Sequence, residues 1–467
     1  MKLGVDSVAV FPEKIKILFL NPPHRLSVSR RYRCSYYSPN SLLPPQDLLQ
    51  LASCVRAWNN AVVVLVDAIA EHYTEAETWE VIRRFTPDII VSVTGLEFFG
   101  DDMACLERMR KIFPDITCGI FGFYPTGFPE EILRNSSIDF ILRCEPEKPL
   151  SDYIHALQNG LSVDTIAGLA GRNDDGAIFV NGEQRLNNLD ELPFSDYTLV
   201  NLNHYDEALL GRRCAAILAT RGCPFSCSYC APTYGHCTSA KSPGRVVEEM
   251  RHLIKSGANS IRFLDDTFTF DRLWVLDVCK EIIRQNVVVP WSCLSRVDTV
   301  DQELLFWLRK AGCKRILVGI ESYSPRVLEH LNKCITPEMI NPQLALIRKA
   351  GIQAVGFFMV GGPFETEKDF QMTLAGALTA PLDLIIVGIM IPYAGTEFFE
   401  QHRHELEFSL FPYKFEYKDP SVIKNAHKRY NRLYLRFYLR PSVICRHFFY
   451  LVRHPWYAIS MLRGLLL

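Results

Sequence analysis

The hydrophobic positions of this chain fall into two successive series of alternating strand and helix patterns. In the first third, "KIKILFLNPP", "AVVVLVDA", "DIIVSVTG", "ITCGIFGF" and "IDFILRC" are short runs rich in Val and Ile. Runs of this kind suit parallel strands covered on both faces. Between them, "PQDLLQLASCVRAW" and "DMACLERMRKIF" carry helical spacing. Five strands with intervening helices predict an α/β, doubly wound, Rossmann-like domain over residues 14–160. Ligands of such sheets bind beyond the carboxyl ends of the strands, here near Asn21, Pro22, Asp67, Thr94 and Tyr124.

Residues 161–212 have weaker periodicity. "GRNDDGAIFVNGEQR" reads as a hairpin-like excursion and "DELPFSDY" as a connecting loop, so this stretch is taken as a linker with a little structure of its own. From residue 213 the alternation resumes in longer units, with strands in "CAAILAT", "SIRFLDD", "VPWSCLS", "RILVGIES", "QAVGFFMVGG" and "LIIVGIMIPY". Helices such as "GRVVEEMRHLIKSG" close on Gly, which suits a helix C-terminus. Six β/α units predict a partial (β/α)6 barrel over 213–400, with its active residues at the carboxyl ends of the strands. A C-terminal helical tail takes up 401–467. There is no repeat of solenoid length.

Composition changes this picture little. The 467 residues are 48% hydrophobic and 22% charged, ordinary for a globular chain, and the net charge of −1 offers no general attraction to nucleic acid, so none is expected as a partner. The N-terminus lacks a secretory pattern, because Asp6 interrupts its first apolar run, and no uncharged run reaches the roughly 18 residues of a membrane span. The fifteen cysteines are odd in number and scattered, which reads as reduced thiols in a cytoplasmic setting. The tail departs from the average. No acidic residue follows Asp419, and Arg429, Arg432, Arg436 and Arg440 share one helical face beside Leu433, Tyr434 and Phe437. A helix of this kind suits an anionic membrane surface, giving peripheral contact with the inner face of the membrane. The other reading packs the helix on the barrel with a solvated arginine stripe.

The densest chemistry lies in "ATRGCPFSCSYCAPTYG", directly after the first barrel strand. Cys223, Cys227 and Cys230 are soft ligands that select zinc, copper or iron–sulfur clusters. With His236 or Cys237 as a fourth ligand the set would suit a structural zinc. Three cysteines on a four-iron cubane would instead leave one iron open to a substrate. The C-x3-C-x2-C spacing, with aromatic Tyr229 before the last cysteine, resembles the signature of the radical S-adenosylmethionine (SAM) superfamily. The resemblance implies a 4Fe-4S cluster on the three cysteines. Its open iron would chelate SAM and cleave it reductively to methionine and a 5′-deoxyadenosyl radical. A reducing electron donor such as flavodoxin or ferredoxin is then a required partner.

The resemblance continues through the barrel motifs in order. It implies that Asp265 and Asp266 in "FLDDT" hold the SAM amino end, with helix capping as the other reading. Arg296 in "SRVD" would bind the SAM carboxylate, or pair with Asp298. Glu321 in "GIES" would accept from the ribose hydroxyls. Gly361 and Gly362 in "MVGGPFET" would let backbone approach a ligand, or make a plain turn. Ile391 and Tyr393 would border the adenine ring, or belong to the core.

A Rossmann-like domain ahead of such a barrel resembles the cobalamin-binding-domain subgroup, which includes cobalamin-dependent methylases, the anaerobic magnesium-protoporphyrin ester cyclase and radical enzymes of hopanoid biosynthesis. "LFLNPP", "VVLVDAIAE" and "IDFILRCEPE" carry this likeness. It implies a cobalamin site around Asn21, Asp67, Thr94 and Tyr124. The D-x-H-x-x-G motif is absent, and His24, His72 and His155 lie outside any such pattern. The domain therefore either binds cobalamin without a protein ligand to cobalt or keeps the fold alone. Phe123 and Tyr124 in "FGFYPT" stand where smaller residues are common in the subgroup. The expected activity is a radical SAM reaction at an unactivated carbon of a hydrophobic small molecule, lipid or tetrapyrrole. A cobalamin-dependent methyltransferase is the alternative within the class, and a zinc-stabilised scaffold the alternative outside it. No second cysteine triad supports a methylthiolating enzyme. The group that donates the hydrogen atom is unassigned.

Overall fold

The Val- and Ile-rich runs of the first third become neighbouring strands of one sheet. In the computed structural model, which describes residues 14–32, 35–37, 41–173, 175–207, 210–230 and 234–445, the chain divides into two units. The first takes in residues 1–38, 42–205 and 409–414, and the second 39–41, 206–408 and 415–467.

The first unit is built on strands β1 (Ile15–Asn21), β2 (Ala61–Asp67), β3 (Ile89–Val93), β4 (Thr117–Phe121) and β5 (Phe140–Leu142), then β6 (Leu169–Arg172) and β7 (Ile178–Val180). Their order is β2-β1-β3-β4-β5-β6-β7, with β1 to β5 parallel and the last two antiparallel. The parallel part has the doubly wound order 2-1-3-4-5, which reverses direction between β1 and β3. Every residue of β3 is buried, which is why its sequence is apolar on both faces rather than alternating, apart from Ser92, whose hydroxyl donates to the Leu20 carbonyl at 3.1 Å.

Helix α1 (Gln46–Trp58) is buried over ten consecutive residues, Gln46 to Val55, despite its polar side chains. The "DELPFSDY" segment covers it: Gln46 Nε2 donates to Ser195 Oγ at 2.7 Å, Gln50 Nε2 to the Pro193 carbonyl at 2.9 Å, and the Asp196 amide to Ser53 Oγ at 2.8 Å. Each buried polar group thus has a partner, as burial requires.

The second unit holds a six-stranded parallel sheet in sequential order: β8 (Cys214–Ile217), β9 (Ser260–Phe263), β10 (Trp291–Arg296), β11 (Cys313–Glu321), β12 (Gln353–Val360) and β13 (Leu384–Ile389). Helices fill the crossovers, among them α2 (Pro243–Lys255), α3 (Arg272–Arg284), α4 (Gln302–Lys310) and α5 (Glu367–Thr379). This is an open half-barrel whose carboxyl ends share one rim. Near its opposite end, buried Glu207 accepts from Arg262 of β9 at 3.3 Å and Arg315 of β11 at 3.2 Å, and Ser292 of β10 donates to it at 2.7 Å. One carboxylate therefore ties three adjacent strands together.

Helix α6 (Pro420–Tyr438) corrects in part the expectation of an arginine-rich outer face. Arg429 pairs with Glu365 at 2.8 Å, Arg432 with Glu367 at 3.1 Å, and Arg440, just beyond the helix, donates to the Leu378 carbonyl at 2.7 Å. Arg429 and Arg440 are thus held against the sheet's covering elements, while Arg432 and Arg436 stay exposed. Among the described residues no helix is long and apolar enough to cross a membrane. The aromatic end of the tail, 446–467, lies outside the described residues.

In the first unit, Arg30 forms two hydrogen bonds from Nε to Asp102, at 3.0 and 3.1 Å, and a third from Nη2 at 2.7 Å, with both side chains essentially solvent-free. Removing one member of such a pair leaves a lone buried charge. Arg30→Met should therefore destabilise the protein by about 3–5 kcal/mol, and adding Asp102→Leu should recover part of that loss. Urea unfolding of the two variants measures both; a loss below about 1 kcal/mol for Arg30→Met would contradict the assignment.

Candidate active site

The cysteine loop leaves the end of β8 and is closed at its base by a two-residue ribbon, in which Thr220 pairs with Ala240 and Arg221 with Ser239. Gly222 follows with φ of +82°, and a β-carbon there would run into the carbonyl of Cys237. Only glycine makes this turn without strain. The Cys223 amide donates to the Gly235 carbonyl at 3.2 Å, and the Cys230 amide to the Cys227 carbonyl at 3.0 Å. Ser228 is pinned from both sides: its amide donates to the Leu331 carbonyl at 3.0 Å, and its carbonyl accepts from the Phe398 amide at 2.9 Å. The loop's shape is therefore set by a turn after β11 and by residues after β13.

Cys223 is buried, and Cys227 and Cys230 are half-buried. Among the described residues no three His, Cys, Asp or Glu side chains gather closely enough to share one metal ion. A four-iron cubane makes a different demand, since it spreads its thiolates over separate irons. A donor stands beside one of the thiols: Arg296 Nη1 donates to Cys227 Sγ at 3.6 Å. Thr267 Oγ1 lies 3.6 Å from Cys223 Sγ, with its own proton given to the Asp266 carbonyl at 2.9 Å. Burial pushes the Cys227 thiol above its ordinary range, while the charges of Lys333 and Arg296 pull it back. Three thiols on a pinned loop, with cations beside Cys227, fit the cluster's need for thiolate ligands. His236 and Cys237, the candidates for a fourth zinc ligand, lie elsewhere in these contacts: His236 Nδ1 is 3.2 Å from the Cys223 carbonyl, and Cys237 is exposed.

Arg296 closes β10 and is almost wholly engaged. It grips Asp298 through two bonds of 2.9 Å, donates to the Lys333 carbonyl at 2.7 Å, and stacks with its guanidinium carbon 3.9 Å from the centre of the Phe225 ring. The Arg–Asp pair weighed from the sequence is thus present, with Asp298 exposed and the buried Arg296 also reaching Cys227.

Glu321, the last residue of β11, has φ of +66°, a region that non-glycine residues seldom occupy. Its Oε1 accepts from the Tyr229 hydroxyl at 2.9 Å and from Lys333 Nζ at 2.9 Å. Among the described residues no bond reaches Oε2. The Tyr229 ring itself packs against the apolar cluster of Val327, Leu331, Met390 and Phe398. Lys333 links these groups and carries no signal in the sequence. It lies in "HLNKCI" after a short helix, where a lysine ordinarily reads as exposed.

Asp265 is held by the cysteine loop through one oxygen, while Oδ2 has no hydrogen-bond partner among the described residues. It is fully buried, and Oδ1 accepts from the Thr220 amide and from Thr220 Oγ1, the latter at 2.6 Å, which braces the base of the cysteine loop. Burial pushes its carboxyl up to about 6. Helix capping is not its role, since Asp271 caps α3 through the Trp274 amide. Asp266 is half-buried beside it. Gly361, with φ of +82°, has its open side filled by Ala426 of α6, and Gly362 lies against Met390 and Phe364. On the side where a β-carbon would project, both glycines face protein. Ile391 and Tyr393 are half-buried beyond the end of β13.

In the first unit, Asn21, Asp67, Thr94 and Tyr124 do stand at the carboxyl ends of β1 to β4, with Asn21 paired in register with Asp67. They are buried, at 2%, 4%, 1% and 1% exposure, and turned to each other and to the core. Asn21 Nδ2 donates to Asp67 Oδ1 at 2.7 Å, Arg30 donates to Asn21 Oδ1 at 3.0 Å, and the Tyr205 hydroxyl donates to Asp67 Oδ2 at 2.8 Å. Thr94 Oγ1 donates to the Phe121 carbonyl at 3.3 Å. The Tyr124 ring lies within 5.1–6.4 Å of Phe99, Phe123, Phe128 and Tyr413. These side chains do not fit as polar ligands of a cobalamin.

Known proteins place the chain. The radical SAM superfamily model matches residues 217–375. An uncharacterized methyltransferase of Pyrococcus horikoshii is 29% identical over 464 residues, covering 97% of this chain and 98% of the relative. The anaerobic magnesium-protoporphyrin IX monomethyl ester cyclase of Cereibacter sphaeroides is 25% identical over 91% of this chain and 70% of its own length. Among solved structures, the cobalamin-dependent S-adenosylmethionine radical enzyme OxsB with aqua-cobalamin and S-adenosylmethionine bound superposes with a TM-score of 0.72 at 16% identity, over 90% of this chain and 66% of that one. With its cysteine loop on the first strand of a parallel half-barrel and a doubly wound domain ahead of it, the chain carries a radical SAM domain over residues 217–375 and is similar along most of its length to proteins of the B12-binding subgroup.

Proposed function

We propose that this radical SAM enzyme is a cobalamin-dependent methyltransferase. The observation that carries the reading is the pinned cysteine loop with Arg296 at Cys227, at the carboxyl rim of the half-barrel. Methyl transfer is favoured over cyclisation because the Pyrococcus relative, called a methyltransferase, aligns along almost the whole of both chains. Cobalamin is favoured by the likeness to OxsB and by the 2-1-3-4-5 order, whose switch point is where doubly wound sheets take ligands. Such a cofactor would have to be held by groups other than Asn21, Asp67, Thr94 and Tyr124.

Cys223, Cys227 and Cys230 would hold the cluster, which supplies the electron that cleaves SAM. The chain's own residues prepare that site. Gly222 and the Thr220–Asp265 brace fix the start of the loop. Arg296 offers a donor to the Cys227 thiolate. Glu321 Oε2 is available to accept from a ligand hydroxyl, and Asp266, Ile391 and Tyr393 remain candidates to border SAM. A one-electron reductant is needed from outside, as for radical SAM enzymes generally; a flavodoxin or ferredoxin is the class proposed. The substrate is taken to be a hydrophobic small molecule or lipid, because α6 exposes Lys424, Lys428, Leu435 and Leu439, a basic and apolar face suited to an anionic lipid surface.

Anaerobically reconstituted protein should bind about four irons in one cluster, the content of a cubane. Cys223→Ala, Cys227→Ala or Cys230→Ala should each abolish SAM cleavage, and Cys237→Ala should not. Stoichiometric zinc without broad visible absorption would refute the cluster assignment.

Reduced enzyme given SAM and hydroxocobalamin should yield S-adenosylhomocysteine together with 5′-deoxyadenosine, read by chromatography of the nucleosides. Deoxyadenosine alone, with no corrin retained after desalting, would return the enzyme to hydrogen abstraction without methyl transfer.

Leu435→Glu combined with Leu439→Glu should reduce sedimentation with anionic vesicles while leaving iron content unchanged. Equal sedimentation of native and variant protein would remove the lipid contact.

A further inference from the structure

Lys333 is the least expected member of the site. It is 4% exposed, on a chain segment that contributes no strand to the barrel. Its ammonium reaches Glu321 Oε1 at 2.9 Å and the Tyr229 hydroxyl at 3.4 Å, and its carbonyl receives Arg296 Nη2 at 2.7 Å. Through one residue the end of β11, the end of β10 and the cysteine loop are tied together.

We propose that Lys333 is a positioning residue for SAM and for the cluster. It holds Oε1 of Glu321, so that Oε2 is presented to the ligand, and it keeps a cation beside Cys227 together with Arg296. The inference rests on the reading that the three cysteines hold the cluster.

Two physical arguments support it. A buried ammonium costs much unless it is paired, and the structure supplies a carboxylate and a phenol hydroxyl for this one. A lysine placed there for stability alone would be replaceable by an apolar residue together with neutralised Glu321. Glu321, however, sits in a backbone conformation that disfavours side chains, and such conformations persist where surrounding contacts over-determine them. Gly319 fits the same pattern: a β-carbon there would lie 2.8 Å from both Glu321 Oε1 and Lys333 Nζ, so the strand leaves room for the pair. A cation near a cluster that gains an electron favours the reduced form, because the added negative charge is partly neutralised.

The test uses the full chain, reconstituted anaerobically, with three variants: Lys333→Met, Lys333→Arg and the double variant Lys333→Met with Glu321→Gln. Iron per chain, the cluster midpoint potential and the SAM dissociation constant by equilibrium dialysis are measured. Lys333→Met should keep about four irons, weaken SAM binding at least tenfold, and lower the potential by a tenfold change in the one-electron equilibrium constant, about 59 mV. Lys333→Arg should retain both properties within threefold. The double variant, which leaves no lone buried charge and has the native net charge, should return the potential toward the native value without restoring SAM affinity.

A one-electron equilibrium constant and a SAM affinity both within twofold of native in folded Lys333→Met would overturn the proposal. If that variant fails to fold, native SAM affinity in the double variant overturns it instead. Native protein that binds no iron would defeat the cluster reading itself, and this outcome is separate from the other two.

Discussion

A carboxylate buried at the end of a strand must have a counter-charge, and the site around the cysteine loop is organised by that requirement. Glu321 ends β11 inside the unit, so Lys333 and the Tyr229 hydroxyl converge on its Oε1. Once Lys333 is fixed, its carbonyl fixes Arg296, and Arg296 in turn donates to Cys227. Tyr229 belongs to the cysteine loop, so the chain of contacts returns to where it began. The interaction is cooperative in the sense that each member lacks a satisfactory alternative partner once desolvated. A change at one point would be felt at the others, although they are separated by up to about a hundred residues in sequence.

The first unit meets the same requirement differently. Strand β1 ends in Asn21 and β2 in Asp67, in register, and polar side chains at that depth cannot be left without partners. Arg30 satisfies Asn21 and Asp102, and Tyr205 satisfies Asp67. Burial raises the Asp67 and Asp102 carboxyls, in each case opposed by these bonds. The rule that ligands lie beyond the carboxyl ends of strands locates a crevice, not its contacts. The residues nearest the sheet serve as its floor, and any ligand must be met by groups farther out.

How much was readable in the sequence follows from what each signal depends on. The strands were legible because two-sided burial leaves no choice of residue type, as in the fully buried β3. The cysteine loop was legible because metal chemistry demands three thiols at close spacing. Covered polar segments were not legible: Gln46, Gln50 and Ser53 look like an outer helix face, and only the fold shows Ser195, Pro193 and Asp196 lying over them. The arginines of the tail misled for a related reason. Their helical spacing is real, but Glu365 just before α5 and Glu367 at its start receive two of them, and a partner distant in sequence leaves no trace in local periodicity. Lys333 escaped because burial of a lysine depends wholly on its partners, and Glu321 and Tyr229 reach it from other elements.

The electrostatics also bear on how such a loop can be ready before any metal arrives. A thiol must lose its proton to become a ligand, and burial opposes that loss, as it does at Cys227. At Cys227 the charges of Lys333 and Arg296 work against that opposition. Arg296, held by Asp298 and by the Lys333 carbonyl, cannot swing away to solvent, so its charge stays beside Cys227. Phe225 adds a face for the guanidinium within the loop itself, at 3.9 Å. The same cation that anchors the loop thus favours the charge state the ligands need. Positioning and acidity are one arrangement here, which explains why an arginine is used where a simple brace would have served for shape alone.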